Sequence, residues 1–114
     1  MLDPIAGTLE HFMTLLSARQ KLVASNIANI DTPGYKTQDI DFQTEMENAA
    51  SGLDAVPQNV SGLKVNNDGN NVDLDRESRL LSENALRFNI ASNMLRSQIK
   101  IVRMAIEGGT GTSS

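Results

Sequence analysis

The sequence predicts a mainly α-helical chain. Two long amphipathic terminal helices form a coiled-coil-like pair, joined by a turn and a loop-rich middle. Three observations carry this. Apolar residues recur at spacings of three and four over residues 5–30, and at seven-residue intervals from Leu74 to Val102. Between them lie Pro33-Gly34, Gly52, Pro57, Gly62 and Gly69, which punctuate rather than propagate regular structure.

The first helix is read over residues 1–30. Asp3-Pro4 makes a plausible start, since proline is tolerated in a first turn. Ile5, Leu9, Phe12, Leu16, Val23, Ile27 and Ile30 then form a stripe widened by Leu15 and Leu22. About 25 residues at ~1.5 Å each give roughly 38 Å. Ser17, Ala18, Ala24, Ser25 and Ala28 are small and permit close approach by another helix, while Arg19 and Gln20 interrupt the apolar face.

The helix must stop near Ile30 or Asp31. A residue before proline is pushed out of the α region, and Thr32-Pro33-Gly34-Tyr35 reads as a type II turn with glycine supplying the positive φ. Asn26 and Asn29 lie three apart, with both amides on one side of the last helical turn. Next, Asp39 or Asp41 is placed to cap a short helix over 39–47, docked through Ile40, Phe42 and Met46. Residues 48 to about 71 read as irregular and mobile, with a brief extended segment at Val60, Leu63 and Val65 and a turn at Asp68-Gly69.

Asp73 or Asp75 opens the last helix, read over 73–107. Leu74, Leu81, Phe88, Leu95 and Val102 repeat every seven residues. Ser78, Ala85, Ser92, Ile99 and Ile106 follow four residues after each. A seven-residue period implies a left-handed supercoil with a partner helix. Gly108-Gly109 is expected to end the helix, leaving residues 108–114 as a flexible tail. The two long helices could pair parallel or antiparallel. Each stripe wants more than one neighbour, so the chain reads as an obligate assembly subunit forming one domain.

Composition narrows the function classes. The 114 residues carry net charge −4, 39% hydrophobic and 4% aromatic residues, and no cysteine. Acidity argues against nucleic-acid binding, and the lack of cysteine excludes disulfides and thiolate metal sites. No basic, apolar leader follows Met1, so no cleaved secretory signal is expected. His11 is the one histidine and reads as a surface residue. The pairs Asp39/Asp41 and Asp73/Asp75 are explained by capping more simply than by acid–base chemistry. Asn66-Asn67-Asp68-Gly69 resembles part of a calcium loop, but Lys64 would occupy the first ligand position and defeats it. Arg96, Lys100 and Arg103 form a basic stripe that reads as a solvated face or as pairing with acids of a neighbouring subunit. No catalytic residue, metal, cofactor or small-molecule substrate is expected.

The segment Asn26-Ile27-Ala28-Asn29-Ile30-Asp31-Thr32-Pro33-Gly34-Tyr35 resembles the N-terminal signature of the bacterial flagellar axial proteins. Asp39-Ile40-Asp41-Phe42, Asp68-Gly69-Asn70-Asn71-Val72-Asp73-Leu74-Asp75 and Glu83-Asn84-Ala85 narrow the resemblance to the basal-body rod protein family, among its proximal members. It covers about residues 1–47 and 66–107, while the middle, 48–65, is short for the family. The resemblance implies export by the flagellar type III apparatus without a cleaved signal. It implies polymerisation through the terminal helices into a torque-transmitting rod across the periplasm. Implied partners are further copies, other rod subunits, the rod adapter protein, the membrane-embedded ring and the export gate. Expected interface residues are Asn26, Ile27, Asn29, Pro33, Gly34 and Tyr35 at the turn, with Leu81, Ala85, Phe88, Leu95, Ile99 and Val102 on the last helix. The competing reading is a cytoplasmic coiled-coil adaptor or export chaperone; a carboxylate-metal enzyme is a distant third.

Overall fold

A computed structural model describes residues 4–48 and 54–110, so the expectations for Asp3 and for the tail beyond residue 110 lie outside the described residues. The elements are α1 (Pro4–Ala28), β1 (Gln38–Ile40), α2 (Phe42–Glu47), β2 (Pro57–Asn59) and α3 (Leu74–Thr110). The molecule is an elongated body of 73 × 26 × 18 Å.

The long helices pair antiparallel, which the sequence left open. Asn26 near the end of α1 meets Glu77 near the start of α3, at 2.6 Å between Nδ2 and Oε1. Gln20 meets Asn84 at 3.2 Å, and Leu9 and Phe12 share a groove with Ala91 and Met94. Each step back along α1 is a step forward along α3. The apolar core between them is thin: Leu15, Leu16 and Val23 from α1, Leu80 and Ala91 from α3, with Ile40 and Val72 closing one end.

The heptad reading of α3 holds for its period but not for the face that meets α1. Glu77, Leu80, Asn84 and Ala91 are the buried positions. Leu81, Ala85, Phe88 and Ile99 are exposed, and Leu95 and Val102 half-buried. A seven-residue period is shared by every face of a supercoiling helix, so the period alone cannot say which face meets which neighbour. The face carrying Glu77, Leu80, Asn84 and Ala91 packs against α1, and the row that holds Leu81, Phe88 and Ile99 is left outside.

The ends of α3 differ from expectation at one side only. Asp73 caps its start, Oδ1 accepting from the backbone N–H of Asp75 at 3.0 Å and of Arg76 at 3.3 Å. At the other end the helix runs through Gly108-Gly109 to Thr110. Glycine weakens a helix by ~1 kcal/mol but ends it by adopting positive φ. Among the described residues only Gly34, Gly62 and Gly69 do so.

The described part of the middle is tied down rather than loose. β1 and β2 pair antiparallel with Gln38 opposite Asn59 and Ile40 opposite Pro57. The Val60 N–H adds a further bond to Thr37 O at 3.0 Å. The extended segment therefore precedes Val60, where Pro57 takes the outer position at which no N–H is required. Asp41, rather than Asp39, caps α2 through the Thr44 N–H. Phe42 packs edge-on against Phe12 with ring centroids 5.4 Å apart. His11 is half-buried, its Nε2 lying 3.0 Å from the Glu45 carbonyl, which fixes α2 to α1.

Candidate functional site: a polar joint between the helices

The hydrogen-bonded turn read from Thr32-Pro33-Gly34-Tyr35 is present. Tyr35 N–H donates to Thr32 O at 3.2 Å, and Gly34 has φ +76°. Two further bonds tighten the exit of α1: Asn29 N–H reaches Asn26 O at 3.2 Å and Ile30 N–H reaches Ile27 O at 3.2 Å. The turn directs the chain back along α1, so that Thr37 to Ile40 lies against it.

Asn26 sits at the centre of this joint, fully buried. Its Nδ2 donates to Gln38 O at 2.9 Å and to Glu77 Oε1 at 2.6 Å. Its Oδ1 accepts from Tyr35 Oη at 2.8 Å and from the Gln38 N–H at 3.0 Å. One amide thus joins α1, the turn, β1 and α3. All its hydrogen-bonding positions are filled within the chain. The residue expected at an interface therefore positions the joint from inside.

A second asparagine does the same for the loop before α3. Asn70 is fully buried; Nδ2 donates to Asn29 O and Thr32 O at 2.9 and 2.8 Å, and Oδ1 accepts from the Val72 N–H at 2.8 Å. Asn71 Oδ1 accepts from the Thr37 N–H at 2.7 Å. Gly34 N–H bonds Asp68 O at 2.9 Å, and the two turns touch backbone to backbone. A Cβ on Gly69, whose φ is +88°, would lie 3.3 Å from Gly34 Cα.

A chain of charges completes the joint. Arg19 grips Asp39 with two bonds of 2.9 Å, Nε to Oδ1 and Nη2 to Oδ2. Arg76 bridges Asp39 and Glu77 through Nη2 and Nη1, at 2.6 Å each. Burial would raise the Asp39 carboxyl. The Arg19 bonds, the Ile40 N–H, the Arg19 charge and Arg76 outweigh it, holding the group below its ordinary 3.8. For Arg76, burial acts to lower the value, yet bonds and charges from Glu77 and Asp39 raise it above that of an ordinary guanidinium. Two guanidinium groups neutralise two carboxylates, leaving no acid–base pair poised in a pocket. Among the described residues no group of three or more metal-ligating side chains forms.

Of the turn residues expected at an interface, Pro33 and Gly34 are exposed, and Ile27, Asn29 and Tyr35 half-buried. Tyr35 Oη also lies 3.2 Å from Ser25 Oγ. The α3 residues form a separate row beyond the joint. Sequence reasoning missed Thr37, Asn70, Asn71, Glu77 and the Arg19–Asp39–Arg76 link. The signals available were the asparagines over residues 66–71, within the motif read only as a resemblance, and Arg19 interrupting the apolar face of α1; none of them named a partner.

A fold of two unequal helices locked by a buried polar joint, with large apolar side chains left outside, defines a subunit completed by neighbours. The description "Flagella basal body rod protein" matches residues 13–36, from mid-α1 to the turn. The chain is 31% identical to flagellar basal body rod protein FlgB of Salmonella typhimurium, covering 96% of this chain and 99% of that protein. It is 31% identical to the FlgB of Borrelia hermsii over 84% of this chain and 90% of that protein. With the Bacillus subtilis FlgB the identity is 26%, over 91% and 96%. The chain belongs to the flagellar basal body rod protein FlgB family. It is a structural rod subunit of the flagellar basal body and assembles with other rod components. The alignment with the Salmonella protein spans 137 residues, more than this chain's 114, so that relative carries segments this chain lacks. No described helix is long and apolar enough to cross a membrane.

Proposed function

We propose that the chain is a proximal rod subunit that polymerises through α1 and α3, with the joint fixing the angle at which α3 meets its neighbours. One observation carries this reading: Leu81, Phe88 and Ile99 are 40%, 39% and 45% exposed along a continuous row of α3. Leaving such a row in water is unfavourable by about 25 cal/mol per Å² of apolar surface, and neighbouring helices remove that cost. Ala85, Leu95 and Val102 complete the row. Pro33 and Gly34, with Ile27, Asn29 and Tyr35 beside them, form a second contact at the turn. Asn26 acts from within.

In this reading the subunit has no enzymatic role. It leaves the cell body by type III export without a cleaved signal and becomes part of the shaft that spans the periplasm and transmits torque. The rod adapter protein, the membrane-embedded ring and the export gate are the partners at its base. The thin core supports export, since a chain held by so few buried apolar side chains unfolds readily for passage through a narrow channel.

Complementation of a deletion strain tests this. The wild-type chain restores swimming and co-purifies with basal bodies. A Phe88→Asp chain that restored normal swimming would overturn the α3 interface. An adaptor or chaperone would instead stay in the soluble cytoplasmic fraction as a stable dimer.

A further inference from the structure

The far end of α3 outruns its partner helix. In the antiparallel register set by Asn26 and Glu77, Pro4 falls level with about Ile99. Residues 100–110 then extend past the described part of α1 by roughly 16 Å, at ~1.5 Å per residue. Arg96, Lys100 and Arg103 are exposed and share one face there, flanked by Ile99 on one side and Met104 on the other. Ile99 is 45% and Met104 59% exposed. Residues 96–107 hold these three bases against one acid, Glu107. Among the described residues, ion pairs join Arg19, Arg76 and Arg79 to Asp39, Glu77 and Glu83, and none reaches the bases of this face.

The opposite charge lies on another flank of the same chain. Residues 41–56 contain Asp41, Glu45, Glu47 and Asp54 and no base. Glu10 of α1 adjoins His11, which ties α2 to α1. Glu10, Asp41, Glu47 and Asp54 are exposed, and Glu45 is half-buried. Against these five acids stands Lys21, which lines a hollow with Ala55 and Pro57. Glu45 Oε2 accepts from the Val56 N–H at 3.0 Å, so a carboxylate is held beside a valine that is 59% exposed. The flank thus presents accessible acids next to accessible apolar surface, as the overhang presents accessible bases next to Ile99 and Met104. Within one subunit no ion pair joins the two, and Arg103 stands roughly 17 Å along the axis from His11, at ~1.5 Å per residue.

We propose that the basic face of the α3 overhang docks on the acidic α2 flank of a second copy, with Lys100 and Arg103 meeting Glu47 and Asp54 while Met104 covers Val56. The proposal rests on the rod-subunit reading and names its contact. Pairing of two overhangs would set like charges against each other, whereas overhang and flank attract. The two are different surfaces of one chain, so the contact is heterologous and repeats from copy to copy. For copies aligned in parallel, it displaces each from the last by roughly 17 Å along α3, the axial separation of Arg103 and His11 at ~1.5 Å per residue. The contact therefore builds a staggered array rather than a flat layer.

Charge exchange tests the contact, with full-length chains expressed in the deletion strain. Lys100→Glu with Arg103→Glu reverses the overhang, and Glu47→Lys with Asp54→Lys reverses the flank; all four positions are exposed. Either pair alone lowers recovery of the chain in purified basal bodies by about tenfold, and the four together restore most of it. Absence of rescue overturns the docking. So does a loss confined to the overhang pair, the result expected of an anionic lipid surface or a different protein as its occupant. A second measurement reads proximity directly. The chain has no cysteine, so cross-links report engineered sites alone. Val56→Cys with Met104→Cys, treated with a bismaleimide in purified basal bodies, gives covalent dimers and higher oligomers. Their yield is several-fold above a control combining Met104→Cys with Ala24→Cys, an exposed position near the joint. Equal yields overturn the docking, while swimming of the same strain leaves the rod reading intact. Failure of the wild-type chain to reach basal bodies overturns both.

Discussion

Asn26 has four hydrogen-bonding positions, and its own chain fills them all. Replacing it with leucine of similar volume leaves Tyr35 Oη, both Gln38 backbone groups and Glu77 short of a partner. Asn26→Leu is expected to cost about 3 kcal/mol. The loss is read as a fall in helical circular dichroism in a stabilising osmolyte, and as loss of swimming. Glycine substitutions should rank by their surroundings. Gly34→Ala meets open space at φ +76° and costs about 1 kcal/mol, whereas Gly69→Ala adds the 3.3 Å contact with Gly34 and costs about 1–3 kcal/mol. The same assay checks the order. Asp39 gives the joint a pH dependence. Its folded value lies below 3.8, so its contribution is complete above that value and disappears as pH falls through the lower folded one. Asp39→Asn should remove this acid-side leg from a pH titration of helicity. At this scale the sequence was legible where the chemistry is local. Pro33-Gly34 declares its turn in consecutive residues. Asn70 does not declare itself, because its acceptors are Asn29 and Thr32, 41 and 38 residues earlier.

The elements were legible in kind and period, and their facing was not. Residues 5–30 and 74–107 announced two helices, and the acid pairs Asp39/Asp41 and Asp73/Asp75 marked two starts, of which the fold uses Asp41 and Asp73. What the pattern could not supply was the rotation of α3 about its axis. Both the Glu77–Asn84 row and the Leu81–Phe88 row repeat at seven residues, and the choice between them depends on what α1 presents. This division gives a paired prediction. Leu80 is 8% exposed and Phe88 is 39% exposed. Leu80→Ala should cost the isolated chain about 2–5 kcal/mol. Phe88→Asp should leave its helicity nearly unchanged but abolish incorporation into basal bodies. Equal losses of helicity from both would show that the two rows are not separate in the way the fold indicates.

At the scale of the whole molecule, few buried apolar residues hold a body 73 Å long. Such a chain should gain helix by associating. Circular dichroism and sedimentation, followed together over micromolar concentrations, should show helicity rising with assembly. A sharply cooperative, highly helical monomer would contradict this. The two-stranded pairing of Gln38–Ile40 with Pro57–Asn59 has a consequence of its own. It pins together the two ends of a segment that contains α2, which is itself docked on α1. Lengthening such a loop has an entropic cost that rises only logarithmically, by ~0.6 kcal/mol for each doubling. The joint, the pair of helices and the exposed α3 row all lie outside that loop. Sequence can therefore be added or removed between α2 and β2 while the joint and the pair of long helices keep their geometry. Chains that differ in length between α2 and β2 can keep one and the same helical frame in this way.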